Sequence, residues 1–146
     1  MPDEEVVLYD TADGIATITL NRPEKANAIR ADVALQLDHH LRMANWDDRV
    51  RIIVLQGAGD DFCAGFDVSG GLEHHGVYQE DGYDPGMDMV TAVNGFTSGM
   101  PIFMGLWRGL KPTIAKVQGY CLGAGSEMAL CADLVVADAD TVFAQS

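Results

Sequence analysis

Thr113-Ile114-Ala115-Lys116-Val117-Gln118-Gly119-Tyr120-Cys121-Leu122-Gly123-Ala124-Gly125-Ser126-Glu127-Met128 joins a strand, a glycine turn and a helix start in one run. Thr113 to Val117, just after Pro112, is a short stretch rich in strand formers. Glycines 119, 123 and 125 interrupt it, and Ser126 to Cys131 then reads as a helix. A strand that feeds a helix through a tight glycine turn is the building unit of layered α/β folds.

The same unit recurs on both sides. Upstream, Arg51 to Gln56 contains Ile52-Ile53-Val54-Leu55, a continuous apolar run that predicts a strand covered on both faces. Gly57-Ala58-Gly59-Asp60-Asp61 stops it, and the turn Phe62-Cys63-Ala64-Gly65-Phe66-Asp67 follows. Downstream, Leu134-Val135-Val136-Ala137 predicts another buried strand. Nearer the start, Val6 to Tyr9 and Ile15 to Leu20 flank Thr11-Ala12-Asp13-Gly14, where Asp-Gly signals a hairpin. Ala31 to Ala44 spaces Val33, Ala34, Leu37, Leu41 and Ala44 three or four apart, the stripe of an amphipathic helix. Ser69 to Gly86 is polar with five glycines and reads as a surface loop or lid. Met87 to Leu110 reads as helix interrupted by glycines and Pro101. The expectation is an α/β fold with a largely parallel sheet.

The length of 146 residues suits one domain, and 48% apolar residues suffice for a core. With 22 acidic against 9 basic side chains and a formal charge of −13, the chain lacks the basic face of a nucleic-acid binder. No apolar run approaches the roughly 18 residues of a membrane span. The acidic start Met1-Pro2-Asp3-Glu4-Glu5 is unlike a signal or transit peptide, so a cytoplasmic protein is expected. Cys63, Cys121 and Cys131 form no C-x-x-C pair and read as free, mostly buried thiols. His39-His40 and His74-His75 are adjacent pairs whose members face different ways, which suits a surface or lid role better than a metal. No metal site is expected. Trp107, Phe96 and Phe103 read as packing residues, and Asp67 and Asp133 as structural or capping acids.

Chemistry concentrates in the two glycine turns, Phe62 to Asp67 and Gly119 to Glu127. Ligands of open α/β sheets bind at the carboxyl ends of strands, where helix-start amides have no intrahelical acceptor. Ordinary helix starts packed on the sheet would show the same pattern. A dinucleotide motif fails, because Gly123-Ala124-Gly125-Ser126-Glu127-Met128 ends in methionine. The nucleophile elbow G-x-S-x-G is absent as well. Glu127, one or two residues inside the predicted helix, is either a helix-dipole partner worth ~0.3–1 kcal/mol or, in a partly dry pocket, a proton-exchanging group of raised pKa.

These residues resemble a known family. Leu20-Asn21-Arg22-Pro23 with Asn27-Ala28, then Phe62-x-Ala64-Gly65-x-Asp67, then Lys111-Pro112-x-Ile114-Ala115, are similar to successive motif blocks of the enoyl-CoA hydratase/isomerase (crotonase) superfamily. Gly119-Tyr120-x-x-Gly123-x-Gly125-x-Glu127 and Cys131-Ala132-Asp133 follow in the same order. The resemblance implies the crotonase fold of repeated ββα units and an acyl-CoA thioester as substrate, with coenzyme A carried by that substrate and no separate cofactor. It implies that the backbone N–H groups of Phe66 and Ala124 bind the thioester oxygen, with alanine at 124 where the family usually has glycine. Lys25, Ala26, Ala28, Ala64, Asp67, Val68, Tyr120 and Gly123 would border the coenzyme A and acyl groups, with Arg22 and Lys25 as phosphate partners.

Glu127 coincides with one acid/base glutamate of the hydratases. The second follows a Phe-Gly-Gln-Pro stretch that Phe143-Ala144-Gln145-Ser146 resembles. By the same resemblance, residues 1–146 are a crotonase-like core and an amino-terminal portion, ending before a helical region that builds a homotrimer or a dimer of trimers. Leu72 to Gly86 is longer than in many relatives and would shape the acyl pocket. Hydration of a 2-enoyl-CoA is the leading expectation; an isomerase or dehydratase of the family, or a non-catalytic acyl-CoA binder, is the alternative.

Overall fold

The computed structural model describes residues 5–67 and 103–145. Strands β1 (Val7–Ala12) and β2 (Ile15–Leu20) form the expected antiparallel hairpin, closing with Ala12 opposite Ile15. Asp13 and Gly14 take φ of 52° and 84°, the paired positive angles that a two-residue hairpin turn requires. Helix α1 (Ala31–Trp46) follows, two residues longer than its apolar stripe, and buries Val33, Leu37, Leu41 and Ala44.

Strands β3 (Ile52–Gly57), β4 (Thr113–Val117), β5 (Tyr120–Leu122), helix α2 (Ala124–Leu130), β6 (Leu134–Ala137) and β7 (Val142–Ala144) complete the chain order, with residues 103–107 helical before β4. The main sheet runs β1-β2-β3-β4-β6 and is parallel from β2 onwards, so the largely parallel α/β reading holds. β5 and β7 pair in parallel as a separate small sheet that the hydrophobic pattern did not announce.

The core fills with Ile18, Leu20, Ile53, Leu55, Ala115 and Val117 from the sheet, the α1 stripe, and Phe62, Leu106 and Met128. Two polar devices fasten its ends. The Lys111 ammonium donates to the carbonyls of Ala44 and Asp47, closing the C-terminal end of α1. The Asp133 carboxylate accepts from the Thr113 N–H (2.8 Å) and hydroxyl (3.0 Å), which holds its pKa below the usual carboxylate range and bears out a structural role.

Four expectations need correction. Leu134–Ala137 is a strand but not a buried one: Leu134 is 62% exposed, and among the described residues β6 pairs with β4 alone, at the sheet edge. In β3 burial alternates, with Ile53 and Leu55 buried and Ile52 and Val54 half-buried. Trp107 is 68% exposed, whereas Phe103 packs in the core as expected. His40 is half-buried rather than a surface group; its ring stacks on Tyr9 and its Nε2 lies 3.2 Å from the Val7 carbonyl, so burial lowers its pKa. The expectations for Val68, the 69–86 loop, residues 87–102, His74, His75 and Phe96 lie outside the described residues.

Candidate functional site

The two glycine turns touch. Cys63 N–H donates to the Tyr120 carbonyl (3.0 Å), Leu122 N–H to the Cys63 carbonyl (2.9 Å) and Phe62 N–H to the Gln118 carbonyl (2.8 Å), so residues 62–64 run as a short ladder beside β5. Past it, Gly65 (φ +93°) turns so tightly over the second turn that a Cβ there would lie 3.0 Å from the Leu122 oxygen and 3.5 Å from the Ala124 nitrogen. Gly125 is set deeper: a Cβ would stand 2.4 Å from the Cys63 oxygen. Only glycine allows this approach of backbone to backbone.

The direction of each expected amide follows from the carbonyl behind it. In a trans peptide the C=O and the next N–H point opposite ways, and no described peptide bond is cis. The Gly65 carbonyl accepts from Ile29 N–H (2.8 Å), so the Phe66 N–H points away from Ile29. The Gly123 carbonyl accepts from Glu127 N–H (3.1 Å) and the Ser126 hydroxyl (2.9 Å), so the Ala124 N–H points out of the α2 N-terminus. As the first residue of α2, Ala124 has no intrahelical acceptor for that N–H. The helix thus begins two residues earlier than read from the sequence, after Gly123 at φ 49°.

Glu127 is therefore the fourth residue of α2 rather than the first or second, and its side chain is exposed. It stands three residues beyond Ala124, on the same helix face. Beside this turn, Gly123 N–H donates to the Ala144 carbonyl (2.8 Å), which brings the end of β7 against the start of α2.

The remaining site candidates divide. Ala26 and Ala64 come together, Ala64 N–H donating to the Ala26 carbonyl (2.9 Å), while Ala28 is buried and its carbonyl accepts from Arg22. Ala26 and Asn27 hold left-handed φ of 47° and 54°. Such strain costs of order 1 kcal/mol per residue. Asn27 offsets it by accepting from Arg22 N–H (2.9 Å) and donating to the Ala58 (2.9 Å) and Asp61 (2.8 Å) carbonyls. Lys25 and Tyr120 are exposed, and Gly123 is half-buried.

Arg22 is not a surface partner for phosphates. Its guanidinium donates to the Ala28 carbonyl (2.6 Å) and the Asp67 carboxylate (3.0 Å), with side-chain exposures of 7% for Arg22 and 10% for Asp67. Asp67 accordingly has the structural role read from its sequence, and its side chain faces Arg22. Neither the Asn27 network nor this ion pair is recognisable from the sequence, since hydrogen-bonding partners so far apart along the chain carry no local pattern.

Cys63, Cys121 and Cys131 are free thiols, the first two buried under the turns. Burial pushes Cys63 up to about 11 and Cys121 to about 12. Among the described residues no cluster of three or more His, Cys, Asp or Glu could hold a metal, and no helix is long and apolar enough to cross a membrane.

Residues 10–146 match the family model described as enoyl-CoA hydratase/isomerase. The chain belongs to this family. It is 35% identical to the 1,2-epoxyphenylacetyl-CoA isomerase of Escherichia coli (strain K12), over 95% of this chain and 50% of that protein. It is 38% identical to a mevalonyl-coenzyme A hydratase of Beauveria bassiana, over 88% of this chain and 44% of the relative. The crystal structure of an enoyl-CoA hydratase/isomerase from Xanthobacter autotrophicus Py2 superposes with a TM-score of 0.81 at 31% identity, covering 96% of this chain and 48% of the other. The chain thus has the crotonase fold and spans about half the length of the relatives it matches.

Proposed function

We propose that this chain supplies the oxyanion hole and one acid/base group of an enoyl-CoA hydratase. The observation that carries the reading is the pinning of both carbonyls, at Gly65 and Gly123, on turns in contact. With the thioester oxygen of a 2-enoyl-CoA held by the Phe66 and Ala124 N–H groups, electron density leaves the double bond for that oxygen. The β-carbon then accepts a hydroxyl from water, whose proton passes to the Glu127 carboxylate. The enolate collapses as the α-carbon takes a proton from a second acid, giving a 3-hydroxyacyl-CoA. One oxyanion donor is worth about 3 kcal/mol of transition-state stabilisation. Ala26, Ala28 and Ala64 border the coenzyme A in this reading, with Lys25 at its phosphates. The coenzyme arrives on the substrate, no separate cofactor takes part, and copies assemble as a homotrimer or a dimer of trimers in the cytoplasm.

Loss of the conjugated enoyl absorbance, followed with the complete gene product, tests the reading. Glu127→Gln is expected to lower the rate by roughly 10²–10⁴-fold with little change in stability, because the side chain is exposed. Equal rates in both proteins would remove Glu127 from the mechanism. An isomerase is the second reading, favoured by the name of the Escherichia coli relative. A shifted double bond in place of a 3-hydroxyacyl product would select it.

A further inference from the structure

We propose that the buried Arg22–Asp67 ion pair is a positioning device that aims the Phe66 amide; this rests on the oxyanion reading above. Phe66 lies between Gly65, whose φ of +93° belongs to the most conformationally free residue type, and Asp67. Local stereochemistry therefore leaves the Gly65–Phe66 peptide plane loosely determined. Its orientation comes from outside, through Ile29: Ile29 N–H donates to the Gly65 carbonyl and Asp67 N–H to the Ile29 carbonyl (3.0 Å).

Arg22 braces this ladder from both sides at once. One guanidinium nitrogen holds the Ala28 carbonyl, immediately before Ile29, and the other holds Asp67, immediately after Phe66. The fork spans the two strands of the ladder, which a lysine ammonium, a single point of attachment, cannot reproduce. A buried ion pair is a poor source of stability compared with apolar packing of the same volume, so geometric definition is the better account of its presence here.

The test reads the carbonyl itself. A saturated acyl-CoA labelled with carbon-13 at the thioester carbonyl binds without turnover, and hydrogen bonding from an oxyanion hole lowers its stretching frequency. The complete gene product is expected to show a clear downshift. Asp67→Asn and Arg22→Lys are each expected to lose a large part of it, to lower kcat roughly tenfold to a hundredfold, and to leave acyl-CoA affinity within about threefold, since only the aim of one donor changes. Asp133→Asn, which breaks the Thr113 cap elsewhere in the fold, is expected to keep the full downshift.

Folded variants of Arg22 or Asp67 with an undiminished downshift would overturn the positioning role and leave the oxyanion reading standing. The same loss in Asp133→Asn would overturn it too, by showing general destabilisation. No downshift in the unmodified protein would remove both readings. Should Asp67→Asn not fold, Arg22→Lys, which keeps the positive charge, decides alone.

Discussion

The two turns that meet at the candidate site are built in opposite ways. The second is local: Gly123 caps α2, the Gly123 carbonyl starts the helix ladder, and Ala124 takes its direction from the helix it begins. The first is assembled from afar, its peptide planes held by Ile29 and by Arg22, which lies 45 residues from its partner Asp67. An amide set by a helix start is rigid as soon as the helix forms. One set by distant side chains is only as well aimed as the rest of the fold, and is where substitutions should separate stability from chemistry.

The glycines give the sharpest way to break that comparison. Gly125→Ala would press a methyl to 2.4 Å from the Cys63 oxygen and 2.9 Å from the Cys63 Cβ, both beneath the first turn and neither free to move. Overpacking of this kind is expected to remove about 3 kcal/mol or more of unfolding free energy, read by urea titration. Gly65→Ala meets a softer contact, 3.0 Å from the Leu122 oxygen, together with its φ of +93°. A loss of about 1–2 kcal/mol is expected there. The reverse order would show that the first turn, not the second, is the rigid member.

These positions also mark what could be read from the chain. β2, β3, β4 and α1 were legible because apolar period and turn residues are local signals. The two turns were legible as glycine-bearing links, but not the close approach that makes Gly125 irreplaceable. Apolar Leu134 and Val136 were misread as buried because strand-forming character says nothing about whether a sheet face is covered. Arg22 was misread as a phosphate partner because a positive charge in an acidic chain looks available until its distant carboxylate is found. Glu127 is the fourth residue of α2 rather than its first or second because Ala124 and Gly125 are helical, a start that the glycines on either side of Ala124 hide in the sequence.

A smaller effect tests the floor shared by both turns. With Cys63 raised to about 11 and Cys121 to about 12, both thiols stay neutral at pH 8. Alkylation of Cys63, followed by mass spectrometry, is expected to be about 100-fold slower in the native protein than in urea on thiolate population alone. The native state disfavours the Cys63 thiolate, so the stability contribution is complete below the ordinary thiol value of 9.0 and is lost as pH rises from there towards 11. Fast labelling of Cys63 under native conditions would mean that the turns part readily.

A crystal structure of the complete gene product with a saturated acyl-CoA tests the central claim most directly. The thioester oxygen is expected within about 2.7–3.1 Å of both the Phe66 and the Ala124 nitrogens. An oxygen that reaches only one of them, or neither, would contradict the account.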